Sequence, residues 1–196
     1  MTMLKTQQSK KTKEFDQLLS PAFKKVGDIH WTPTAIVVKA AKWLGENSES
    51  KVLDIGSGVG KFCMVGAGVS EAHFTGVELR KNLVDEANKI KEELGLKKVS
   101  FLNQNITTVS FKEYDAFYFY NPFCEHTAVA DWIDKKADIS LEKLAEYENH
   151  IYDELAKKEK GTKLVTYLSA SFNLPESYFA VEILNDGDLV FWEKRT

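Results

Sequence analysis

The sequence predicts an α/β fold: a doubly wound, mostly parallel seven-stranded sheet with a C-terminal antiparallel hairpin and helices on both faces. Three observations carry this. Short β-type runs alternate with amphipathic helical runs from residue 51 to about 168, the pattern of a parallel sheet with crossover helices. The run Tyr114–Tyr120 is almost wholly apolar, as a central parallel strand buried on both faces must be. The last two β-type runs, near 178–184 and 188–194, are joined by Asn185-Asp186-Gly187-Asp188, a hairpin turn signal.

Residues 1–30 are polar and basic and form a leader or lid ahead of a single domain at 31–196. Leu18, Leu19, Phe23 and Val26 are placed to dock a short helix there. Thr32 is positioned to cap a helix that has Pro33 at its first position. Ile36, Ala40, Trp43 and Leu44 then make one apolar face, with Gly45 as terminator. Strand 51–55 leads to a helix from about 61, and strand 73–78 to a helix at 81–94 that ends at Gly95. Leu83, Ala87, Ile90 and Leu94 are the buried face of that second helix. Val99–Leu102 is the third strand and Tyr114–Tyr120 the fourth. A helix at about 140–159 uses Leu141, Leu144, Ile151 and Leu155 for burial, and Lys163–Leu168 is the fifth strand.

The chemistry lies in the loop after the first strand. Val52, Leu53 and Ile55 surround Asp54, and Gly56, Ser57, Gly58, Val59 and Gly60 follow. Glycine lets a backbone turn at positive φ and a ligand approach the main chain closely. A helix starting at Lys61 aims its unpaired N–H groups at this loop. Two other glycine loops are excluded. A phosphate-binding P-loop requires Gly-Lys followed by Ser or Thr, and here Phe62 follows Lys61. The dinucleotide fingerprint spaces its last two glycines three apart, and Gly58 and Gly60 are two apart. Asp54 repels a phosphate but suits a ligand carrying an ammonium or sulfonium group. Glu78 ends the second strand 24 residues later, near the spacing of an acid that accepts from a ribose diol.

Asp54, the Gly56–Gly60 loop and Glu78 together resemble the class I, seven-strand S-adenosylmethionine-dependent methyltransferases. The resemblance implies S-adenosyl-L-methionine as cofactor, held by Asp54, Gly56, Ser57, Gly58, Gly60 and Glu78. It also implies an adenine contact after the third strand, where the family has an acid followed by an apolar residue. This chain has Asn105 and Ile106 there, so an amide oxygen would accept from the adenine amine. After the fourth strand, Asn121-Pro122-Phe123 resembles the Asn/Asp-Pro-Pro-aromatic loop of enzymes methylating amino groups, without its second proline. The loop is similar also to that of the seven-strand protein lysine methyltransferases. The resemblance makes Asn121, Pro122 and Phe123 the catalytic set, with Glu125 and His126 as candidate bases. Cys124 is disfavoured as a nucleophile because Phe123 separates it from Pro122.

The implied function is methyl transfer to nitrogen, a protein lysine being the leading acceptor. The alternatives are a nucleobase amino group in RNA or DNA, a small molecule, or a cofactor-binding module without turnover. Lys and Arg number 26 against 29 Asp and Glu, a net charge of −3, which does not favour nucleic acid. No apolar run is long enough for a bilayer, and no secretory signal precedes the domain. The two cysteines, Cys63 and Cys124, fit a reducing cytoplasm, and the four histidines show no metal spacing.

Overall fold

The computed structural model describes residues 14–24, 31–120, 140–169 and 172–196. Seven strands form one sheet: β1 Lys51–Ile55, β2 His73–Glu78, β3 Val99–Asn103, β4 Ala116–Tyr120, β5 Lys163–Tyr167, β6 Tyr178–Leu184 and β7 Leu189–Lys194. Their spatial order is β3-β2-β1-β4-β5-β7-β6. β1 to β5 are parallel, and only β7 runs against its neighbours among the described residues. The order reverses between β1 and β4, and a crevice at the carboxyl ends of those two strands is where an open α/β sheet binds its ligand.

The helices are α1 Pro21–Lys24, α2 Thr34–Leu44, α3 Lys61–Val69, α4 Lys81–Leu94 and α5 Leu141–Ala156. Strand periodicity divides the core. Val52, Phe74, Ala116, Tyr118 and Val165 face α2, α3 and α4 in one cluster. Leu53, Ile55, Val77, Phe117 and Phe119 face the other way, onto Tyr147, Ile151 and Leu155 of α5. Helices therefore lie on both faces, as the sequence predicts.

Several expectations shift in detail. Pro33, not Thr32, is the N-cap of α2, and no side-chain cap bond is made there. The Thr32 hydroxyl instead pairs with the Tyr118 phenol at 2.9 Å in the core. α5 is shorter than the expected 140–159, and Leu141 is 68% exposed; Tyr147 takes the buried position instead. β4 begins at Ala116 rather than Tyr114. The β6–β7 connection is a short 3-10 turn in which Asn185, Asp186 and Gly187 all have positive φ. Those residue types tolerate that region best, which explains why the turn is readable from sequence. Gly45 and Gly95 end α2 and α4 as expected, Gly95 at φ 63.

The N-terminal segment packs on the domain. Leu19 is buried, while Leu18 and Phe23 pack partly buried against the same cluster. Phe15, which the sequence does not flag, is fully buried beside them. Val26 lies outside the described residues.

Candidate cofactor site at the β1–β4 switch point

β1 delivers Asp54 to the α3 side of the sheet because Asp54 alternates with Leu53 and Ile55, which serve the opposite core. Asp54 is 3% exposed. Cys63 Sγ, one turn into α3, lies 3.5 Å from Asp54 Oδ2 and donates to it. Burial pushes the Asp54 carboxyl up to about 8, the thiol bond opposing this and the nearby Glu78 charge adding to it. The Cys63 thiol is itself pushed up by burial and by Asp54.

Gly56, Gly58 and Gly60 all have positive φ, at 74°, 54° and 78°. The backbone N–H groups of Gly56 and Ser57 both donate to the Val77 carbonyl at 3.0 Å, which ties the loop to β2. Close approaches explain two glycines of this region. A Cβ at Gly58 would meet the Trp31 ring at 2.7 Å, and a Cβ at Gly76 would meet Ser57 Cβ and Oγ at 2.6 Å. The loop is thus pressed between an aromatic ring and the second strand. Ser57 Oγ is buried and has no hydrogen-bond partner among the described residues. A buried hydroxyl on a ligand-facing loop without a partner fits a polar ligand that supplies one.

Glu78, 8% exposed, accepts from Gly58 N–H through Oε2 at 3.1 Å and from Arg80 N–H through Oε1 at 2.9 Å. Burial raises its carboxyl, against the lowering by those N–H groups and by the Arg80 charge. Asn105 N-caps a short 3-10 turn over Ile106–Thr108. Its Oδ1 accepts from both Thr107 N–H and Thr107 Oγ1, each at 3.0 Å. The two lone pairs of that oxygen are therefore committed within the protein. Ile106 follows at 7% exposure.

The N-terminal segment closes one side of this site. Asp16 pairs with Lys61 at 2.8 Å, and the Lys61 side chain is only 7% exposed. Ser20 N–H donates to Glu86 on α4 at 2.7 Å, and Trp31 Nε1 donates to the Phe23 carbonyl at 3.2 Å. A cavity of about 280 Å³ opens beside the loop, with Asp16, Leu19, Trp31 and Lys61 in its wall. Sequence reasoning does not reach Trp31, Lys61, Asp16 or Cys63 as site residues, because each enters through a contact distant in the chain or through packing. Asn121, Pro122 and Phe123, with Cys124, Glu125 and His126, lie outside the described residues. Among the described residues, no group of three or more His, Cys, Asp or Glu is arranged for a metal ion, and no helix is long and apolar enough to cross a membrane.

Comparisons with known proteins agree with this geometry. A methyltransferase domain model matches residues 46–167, more than half of the chain. A stretch of 55 residues is 47% identical to the tRNA (guanine-N(7)-)-methyltransferase of Synechococcus sp. (strain JA-3-3Ab), covering 28% of this chain and 23% of that protein. The chain is also 40% identical over 73 residues to the uncharacterized protein RP789 of Rickettsia prowazekii (strain Madrid E), covering 36% of this chain and 13% of that one. The chain thus spans about a quarter or less of these curated relatives. Among solved structures, the fold is that of an RNA methyltransferase from Salinibacter ruber in complex with S-adenosyl-L-homocysteine (TM-score 0.59, 18% identity, 84% of this chain and 93% of that one). TrmN from Thermus thermophilus is similar as well (TM-score 0.60, 16% identity, 89% of this chain and 52% of that one).

A seven-strand sheet of this order, with an acid, a glycine loop and a second acid at its switch point, defines the class I methyltransferases. The chain belongs to the methyltransferase domain family.

Proposed function

We propose that the chain transfers the methyl group of S-adenosyl-L-methionine to a nitrogen acceptor, with a protein amine such as lysine as the first choice. The observation that carries this is the position of Asn121-Pro122-Phe123 in the chain. The three residues directly follow Tyr120, the last residue of β4, and β4 pairs with the strand that ends in Asp54 and the glycine loop.

In this reading Asp54 holds the cationic amino-acid end of the cofactor, and Ser57 and the glycine loop line it. Glu78 takes the ribose diol while keeping its bonds to the loop. Ile106 covers the adenine. Asn105 shapes the turn that presents Ile106, because its oxygen is already used by Thr107. When bound, the sulfonium supplies a methyl on a good leaving group. The protein then contributes positioning and exclusion of water. The Asn121 side-chain oxygen and the Pro122 carbonyl hold the acceptor nitrogen's hydrogens, which aims its lone pair, and Phe123 packs on the acceptor. Glu125 or His126 accepts the proton of an amine that arrives charged. Residues 14–24, anchored by Phe15 and by the Asp16–Lys61 pair, border the crevice and guide the acceptor toward it.

A second reading, methylation of an RNA base nitrogen, is favoured by the 47% identity of the 55-residue stretch to a tRNA methyltransferase. Incubating a cell extract with labelled S-adenosylmethionine, then separating protein, RNA and small molecules, distinguishes the two. Label in protein supports the amine, and label confined to RNA replaces it with the base. Asn121→Ala should abolish labelling while cofactor affinity is retained; an unchanged rate in that variant removes Asn121 from the chemistry.

A further inference from the structure

We propose that Cys63 is a positioning residue of the cofactor site: its thiol fixes the Asp54 carboxylate in the orientation that receives the cationic end of S-adenosylmethionine. The proposal rests on the role given to Asp54 above.

Geometry carries it. Cys63 is the third residue of α3, one turn beyond the Gly60 cap, and is fully enclosed. Its Sγ lies 3.5 Å from Asp54 Oδ2, and among the described residues no other hydrogen bond reaches that carboxylate. Oδ1 is therefore left for a ligand. The contrast with Glu78 is direct, since both of its oxygens already accept from backbone N–H groups. A thiol suits the task. It is a small, nearly apolar group that packs in the core and still donates weakly. Burial and the neighbouring acid keep it protonated, so it remains a donor throughout the working pH range.

Three groups face Asp54 from the elements packed against it. α3 contributes the Cys63 thiol, which favours the ionised carboxylate, and β2 contributes Glu78, which opposes it. β4 contributes the Tyr118 phenol, itself held by the Thr32 hydroxyl and kept neutral by burial. Among the described residues the Cys63 thiol is the one group that favours the Asp54 charge, and removing it removes that support.

The test uses the full chain and calorimetry with S-adenosylmethionine from mildly acidic to mildly alkaline pH, with the melting temperature measured for each variant. Cys63→Ala is expected to weaken binding about tenfold, the loss of one hydrogen bond to a charged group. It is also expected to move the midpoint of the pH dependence upward. Cys63→Ser, which keeps a donor, restores the midpoint toward wild type. Asp54→Asn binds weakly and loses the pH dependence. A Cys63→Ala variant with a lowered melting temperature but a wild-type midpoint makes Cys63 a packing residue and overturns the proposal. Wild-type binding by Asp54→Asn is a separate failure: it removes the role given to Asp54, and the proposal with it.

Discussion

The backbone N–H of Gly58 donates to Oε2 of Glu78 across 3.1 Å, so the apex of the glycine loop hangs on the acid that ends the second strand. Glu78 consequently has a structural duty besides any contact with a ribose. In Glu78→Gln one of the two oxygens becomes an amide nitrogen, and either the Gly58 or the Arg80 N–H loses its acceptor. Stability should fall by about 1–3 kcal/mol, the cost of a buried donor left unpaired. Urea denaturation of the free protein measures this, and no loss would mean that the loop holds its shape without Glu78.

Gly76 sits beneath Ser57, with 2.6 Å available where a Cβ would stand. Gly76→Ala should therefore cost about 1–3 kcal/mol by overpacking and weaken cofactor binding, because the displaced residue is in the loop. Adding Ser57→Gly should recover part of the stability. The two changes would show a coupling energy in a double-mutant cycle. Additive losses would exclude the contact.

The Asp16–Lys61 pair is asymmetric: Lys61 is 7% exposed and Asp16 is 57% exposed. Removing the outer partner strands a nearly buried ammonium, whereas removing the inner one leaves an acid in water. Asp16→Ala is expected to lose about 1–3 kcal/mol, more than Lys61→Met, which keeps the packing stem. Thermal denaturation of the two variants gives the order, and the reverse order would show that Lys61 is solvated.

Asp54 sets a pH dependence whose sign is fixed. Its carboxyl titrates at about 8 in the folded protein, against about 3.9 in an unfolded chain. Between these values the folded state binds the extra proton, so this contribution to stability is present at low pH and declines as pH rises toward 8. A cationic ligand favours the ionised carboxylate, so cofactor affinity should change in the opposite sense. It rises with pH and levels off above about 8. Denaturation at several pH values should show the decline in the wild type, and Asp54→Asn should flatten it.

Much of the fold is legible because it is local. The carboxyl-terminal glycines of α2 and α4, the Asn185-Asp186-Gly187 turn and the apolar β4 run each announce themselves within a few residues. The acid–loop–acid site is legible for the same reason, since Asp54, the glycines and Glu78 lie within 25 residues of sequence. What escapes is the tertiary layer. Thr32 has every local mark of a helix cap, yet its hydroxyl is taken by Tyr118, 86 residues away. Phe15 lies in a polar, basic stretch, and only the core it enters shows its role. Trp31 over Gly58 and Cys63 against Asp54 are contacts that no spacing rule encodes. The bonds from Thr107 to the Asn105 side-chain oxygen are likewise set by the turn's geometry rather than by any residue pattern.

Titration of the purified chain with S-adenosylmethionine and with S-adenosylhomocysteine tests the cofactor site most directly. Saturable binding of both is the expected result. It should be lost in Gly58→Val, where a branched side chain at φ 54° would strain the loop and strike Trp31. Absence of heat with either ligand, or wild-type affinity in Gly58→Val, would contradict a cofactor site built on this loop.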